Sequence, residues 1–141
     1  MKDRSICILI AEPDLAFRRK LKNIFNSIEA TSPGIKFTMT EPDSVEEIEK
    51  AYRVKLPDII FMDSLYLLER SGRIMKMFKG KRTKDQLIML ISDDGAAKIK
   101  ELISSLEKKR PLYLNGHILK ENFSRELITV LVRFFIKKIA S

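Results

Sequence analysis

Residues 57–64 read Pro57-Asp58-Ile59-Ile60-Phe61-Met62-Asp63-Ser64. Four consecutive apolar residues leave no polar face, as in an inner strand of a parallel sheet covered on both sides, and an acid stands at the carboxyl end. Three other segments share that form. Cys7 to Ala11 ends on Glu12, with Asp14 two residues on; Leu87 to Ile91 ends on Ser92; and the Leu112 to Leu114 segment, read as a fifth strand, precedes Lys120. In an open parallel sheet the ligand site lies beyond the carboxyl ends of the strands, so residues far apart in sequence converge there. Acids, a hydroxyl and an ammonium in such places suggest a phosphoryl-accepting site.

Between these runs the apolar period changes to that of helices, the alternation of repeated βα units. Phe17, Leu21, Ile24, Phe25 and Ile28 predict a first helix from near Asp14 to about Glu29, stopped by Pro33 and Gly34. Ile35, Phe37 and Met39 alternate with Lys36 and Thr38 as a strand does, and Ser44 with Glu47 forms a capping box ahead of Val45, Ile48 and Tyr52. A third helix carries Leu67, Leu68, Ile74, Met75 and Phe78. A fourth, opened by Asp93-Asp94-Gly95, carries Ile99, Leu102, Ile103 and Leu106. The last helix begins near Asn122 or Ser124. It is apolar around most of its circumference, from Leu127 to Ile139, and predicts a contact with a second copy or an output domain.

The chain has 141 residues, 45% of them apolar, which suits one globular domain over 1–141. The single cysteine, Cys7, excludes an intrachain disulfide and points to a reducing compartment. Lys2, Asp3 and Arg4 before a short apolar run fit neither a secretory signal nor a membrane span, so a soluble cytoplasmic protein is expected. The formal charge is +8, with Arg70, Arg73, Lys76, Lys79, Lys81, Arg82 and Lys84 crowding one region and Lys108, Lys109 and Arg110 another. Such a face attracts nucleic acid, acidic proteins or anionic membranes by charge alone, but Phe78, the aromatic within the first run, belongs to the third helix's apolar stripe and is not set out for base stacking, so a solvated face is the preferred reading. No glycine-rich phosphate loop follows the first strand, which argues against a nucleotide- or flavin-binding enzyme.

Taken together, ILIAEPD (8–14), DIIFMDS (58–64), LIMLIS (87–92) and HILKENF (117–123) resemble the receiver domains of two-component response regulators, the CheY-like domains, in order and approximate spacing. The resemblance implies a flavodoxin-like α/β fold: five parallel strands in the order 2-1-3-4-5, flanked by five helices. It implies a non-enzymatic signalling module in which Asp63 accepts a phosphoryl group from a histidine kinase or phosphotransfer protein. Glu12, Asp14 and Asp63 would hold Mg²⁺, Ser92 and Lys120 would contact the phosphoryl oxygens, and His117 would stand at the switch aromatic. Partner binding would change at the face formed by the fourth helix, fifth strand and last helix.

The chemistry agrees, since a carboxylate attacking a phosphoryl group needs a hard cation, a lysine and a hydroxyl to offset charge repulsion. Several positions depart from the family pattern. Pro13 stands where the second adjacent acid is usual, leaving Asp14 to reach round, water to fill the place, or Mg²⁺ to bind weakly. Glu121 replaces the usual proline after the lysine. Leu67 and Gly72 alter the segment after Asp63, so the loop and third helix should differ. These departures keep a second reading open: a degenerate receiver that binds partners without phosphorylation, using its basic surface.

Overall fold

The computed structural model describes residues 4–69, 71–78, 85–93, 100, 101, 104 and 116–140. Its strands are β1 (Arg4–Ala11), β2 (Ile35–Thr40), β3 (Ile59–Asp63), β4 (Leu87–Ser92) and β5 (Gly116–Leu119), and its helices α1 (Leu15–Ala30), α2 (Val45–Lys55), α3 (Ser64–Glu69), α4 (Ser71–Met77) and α5 (Arg125–Ala140). The sheet is wholly parallel in the order β2-β1-β3-β4-β5. This is the order the resemblance implies.

Each face of the sheet carries its own apolar layer. On one, Ile6, Ile8, Ile10, Ile59 and Phe61 meet the inward stripes of α1 and α5, including Phe25 and Val132; on the other, Leu9, Ile60, Met62, Ile88 and Leu90 meet α2, α3 and α4 through Ile48, Leu67 and Ile74, with Phe78 just after α4. All five residues of β3 and all six of β4 are buried, so the runs without a polar face are central strands. The alternating β2 lies at an edge and is half-exposed.

Local signals account for the helix starts. The Asp14 side chain accepts hydrogen bonds from the backbone N–H groups of Ala16 and Phe17 and so caps α1, while Ser44 Oγ accepts from Glu47 N–H and caps α2. The Glu47 carboxylate reaches back one residue beyond the cap and accepts from Asp43 N–H at 2.8 Å. After β3 there is no loop: Asp63 ends the strand and Ser64 starts α3. The predicted third helix is thus represented by two short helices, α3 and α4.

The fifth strand of the described sheet is Gly116–Leu119. Leu112–Leu114, where that strand was expected, lie outside the described residues. So do most of the expected fourth helix, where only residues 100, 101 and 104 are described, and the basic residues 70, 79, 81, 82, 84 and 108–110.

Candidate functional site

β1, β3, β4 and β5 deliver Glu12, Asp63, Ser92 and Lys120 at their carboxyl ends, and parallel pairing brings those ends together. Glu12, Asp63 and Ser92 are buried, each 1% exposed or less. Lys120 opens a 3₁₀ turn, Lys120–Asn122, immediately after β5, and this turn aims its side chain back across the sheet edge. Its Nζ stands 2.5 Å from Glu12 Oε1, 3.1 Å from Asp63 Oδ2 and 3.5 Å from Asp93 Oδ2. The ammonium also lies 5.1 Å from the centre of the Phe17 ring, which itself meets the Phe123 ring edge-on at 5.0 Å.

The electrostatics follow from burial. Loss of water pushes the Glu12 carboxyl up to about 7, opposed by Lys120 and by the Asp14 N–H that donates to Glu12 Oε2, and reinforced by the charge of Asp63. Lys120 moves up to about 12: burial works against its charge, and the two carboxylates outweigh it. The close Lys120–Glu12 contact is therefore an ion pair in which the carboxylate, not the ammonium, gives up its charge near neutrality.

Asp63 has two engagements. Its Oδ2 faces Lys120, while its Oδ1 accepts from Leu65 N–H at 2.9 Å, so the proposed phosphoacceptor also caps α3. Ser92 Oγ lies 2.7 Å from His117 Nε2, the two side chains coming from adjacent strands. Burial, with the charge of Lys100, lowers the His117 pKa and favours the neutral ring.

The carboxylate of Asp14 does not join the site, because it is exposed and occupied by the start of α1. Among the described residues, no group of three or more His, Cys, Asp or Glu side chains is placed to hold a metal ion. Glu12 Oε1 and Asp63 Oδ2 are nonetheless buried oxygens that receive no well-directed hydrogen bond. A hard cation would find two converged carboxylates here and would lack a third.

Arg18 also belongs to the site, although nothing in the amino-acid pattern singles it out. Its guanidinium donates to the Glu12 carbonyl from Nε and Nη2, at 2.9 and 2.7 Å, and Nη2 also donates to Asp43 Oδ1 at 2.9 Å. The fork fixes the backbone that carries Glu12. Its only sequence signal is position, one helical turn after the Asp14 cap.

The fold recurs in solved structures. A response regulator from Thermotoga maritima superposes with a TM-score of 0.64 at 15% identity, over 95% of this chain and 99% of that one. The receiver has this fold. A receiver-modulated diguanylate cyclase from Pelobacter carbinolicus gives 0.63 at 16% identity over 94% and 93% of the two chains, and a response regulator from Burkholderia multivorans gives 0.60 at 14% over 92% and 93%. No protein-family model matches the sequence, and no curated protein matches it significantly. The structural likeness concerns the receiver fold. In this chain, Glu12, Asp63, Ser92 and Lys120, scattered through the sequence, stand together at the carboxyl edge of that sheet. No helix among the described residues is long and apolar enough to cross a membrane.

Proposed function

We propose that this chain is a signalling receiver in which Asp63 accepts a phosphoryl group from a histidine kinase or phosphotransfer protein. The observation that carries this reading is the buried Asp63 carboxylate facing Lys120 Nζ at 3.1 Å, at the carboxyl end of a central strand. In the transfer, an Asp63 oxygen forms a bond to phosphorus as the phosphorus–nitrogen bond of a phosphohistidine breaks, and the departing imidazole nitrogen takes up a proton. Lys120 receives the charge on the transferred group, and Ser92 turns from His117 to donate its hydroxyl to a phosphoryl oxygen. Mg²⁺ would be held by Glu12 and Asp63 and would offset the repulsion between carboxylate and phosphoryl oxygens; with Asp14 committed to the α1 cap, it would be held weakly.

The same commitment of Asp14, with Pro13 beside it, supports a second reading, a receiver-shaped binding module that works without phosphorylation. Intact mass after incubation with acetyl phosphate, with and without Mg²⁺, separates the two. A gain of one phosphoryl group, absent from Asp63→Asn, supports the phosphorylatable receiver. No gain under any condition overturns it in favour of the binding module. The basic surface gives that module little support among the described residues, because Arg73 is ion-paired with Glu46 and Glu49.

A further inference from the structure

The outward side of α5 carries an apolar stripe that the fold leaves open. Leu127, Val130 and Phe134 are 52%, 62% and 73% exposed and recur at spacings of three and four, so they line one side of the helix opposite buried Ile128, Val132 and Phe135. Arg133, beside the stripe, is drawn back toward α1, where its Nη2 donates to Thr31 Oγ1 at 2.6 Å.

The charges flanking the stripe indicate what covers it. Glu126 and Lys137 are both exposed and lie eleven residues apart, which at 100° per residue sets them within about 20° of each other on the same flank. At 1.5 Å per residue, Glu126 lies roughly 7 Å to one side of the middle of the stripe and Lys137 roughly 10 Å to the other. In an antiparallel pair of α5 helices related by a two-fold axis, like flanks face each other with their ends exchanged. Glu126 of one copy then meets Lys137 of the other with an axial offset of about 3 Å. Leu127 stacks over Phe134 of the second copy, and the two Val130 side chains meet near the axis. In a parallel pair the two-fold runs along the helices and puts the Glu126–Lys137 flank of each copy on opposite sides of the seam, so these opposite charges do not meet.

We propose that a second copy of this chain covers the stripe, pairing α5 with α5 in antiparallel orientation through Leu127, Val130 and Phe134, with Glu126–Lys137 ion pairs at both ends. The inference does not depend on phosphorylation. The contact is a small one, and two chains of charge +8 repel each other, so the dimer is a weak, concentration-dependent one that forms best at physiological salt, where charges are screened over about 8 Å.

Sedimentation velocity over a concentration series tests this. The expected result is reversible growth from 16.4 kDa toward twice that mass. Phe134→Glu abolishes the growth, and Glu126→Lys or Lys137→Glu alone each weakens it by about tenfold, whereas the double exchange Glu126→Lys/Lys137→Glu restores it to within about threefold of the native chain. All of these positions are exposed, and circular dichroism confirms that each variant is folded. A chain that stays monomeric at every concentration overturns the proposal and leaves the stripe to another partner. A dimer insensitive to Phe134→Glu, or one that the double exchange does not restore, overturns it equally, because the pairing is then through another surface or in another register.

Discussion

Glu12 has no exposed surface, and its carboxyl titrates near 7 rather than near 4.5 because burial disfavours its charge. The folded chain therefore holds a proton there, between these two values, that the unfolded chain releases. Stability from this group is fully present below pH 4.5 and is lost as the pH rises through 7. Urea unfolding at pH 5 and pH 8 should show the native chain losing about 2 to 3 kcal/mol relative to Glu12→Gln over that interval. Equal slopes for the two chains would show that Lys120 keeps Glu12 ionised throughout. Lys120 has the complementary effect: its contribution is full below pH 10.5 and lost as the pH rises through about 12, and Lys120→Met, which leaves two buried carboxylates facing one another, should cost about 3 to 5 kcal/mol at pH 8 and less at pH 5. The positions of Glu12 and Asp63 were legible in the sequence because each closes an apolar run, and Lys120 through its place in the HILKENF segment. Arg18 was not, since a lone arginine on a helix reads as a solvated charge until folding brings the Glu12 carbonyl to it.

The elements divide in the same way. Periodicity located α1 because five apolar residues at helical spacing become its buried stripe, and Ser44 located α2 because the cap is chemically specific. The described part of the fifth strand was not legible for a physical reason: Gly116 and His117 break the apolar run that marks β3 and β4, and β5 is only half-buried. The glycine is also constrained by packing, since a Cβ there would come within 2.9 Å of Met89 Cε on β4. The contact is with the flexible end of a methionine, so Gly116→Ala should be mildly destabilising, and shortening the neighbour in Gly116→Ala/Met89→Val should remove most of that coupling in a double-mutant cycle. The end of α2 was equally hidden. Leu56 there adopts φ 48° and ψ 63°, the only non-glycine positive φ among the described residues, and its N–H closes on the Tyr52 carbonyl. Half of its side chain is exposed, so little burial offsets the left-handed backbone. Leu56→Gly should raise stability by about 0.5 to 1 kcal/mol, read as a higher urea midpoint at unchanged slope. A lower midpoint would show that the apolar contacts of Leu56 outweigh its backbone strain.

At the scale of the whole molecule, two apolar layers hold the sheet while 27 basic and 19 acidic residues give a surplus of eight positive charges. Some basic groups are matched locally: Arg18 with Asp43, Lys22 with Glu41, and Arg73 with Glu46 and Glu49. Pairs with exposed partners contribute little each, on the order of 0 to 1 kcal/mol, and salt weakens them. The surplus acts the other way, because compaction brings like charges together and screening relieves the repulsion. The two effects have opposite signs in a salt titration. The buried contacts of Lys120 with Glu12 and Asp63 are screened least and drop out of the comparison. Raising NaCl from about 20 to about 200 mM shortens the screening length from roughly 20 Å to roughly 7 Å, across the distances that separate surface charges on a domain of this size. The urea midpoint should therefore rise with salt at fixed pH. A fall would mean that the local pairs on α1, α2 and α4 outweigh the repulsion of the surplus.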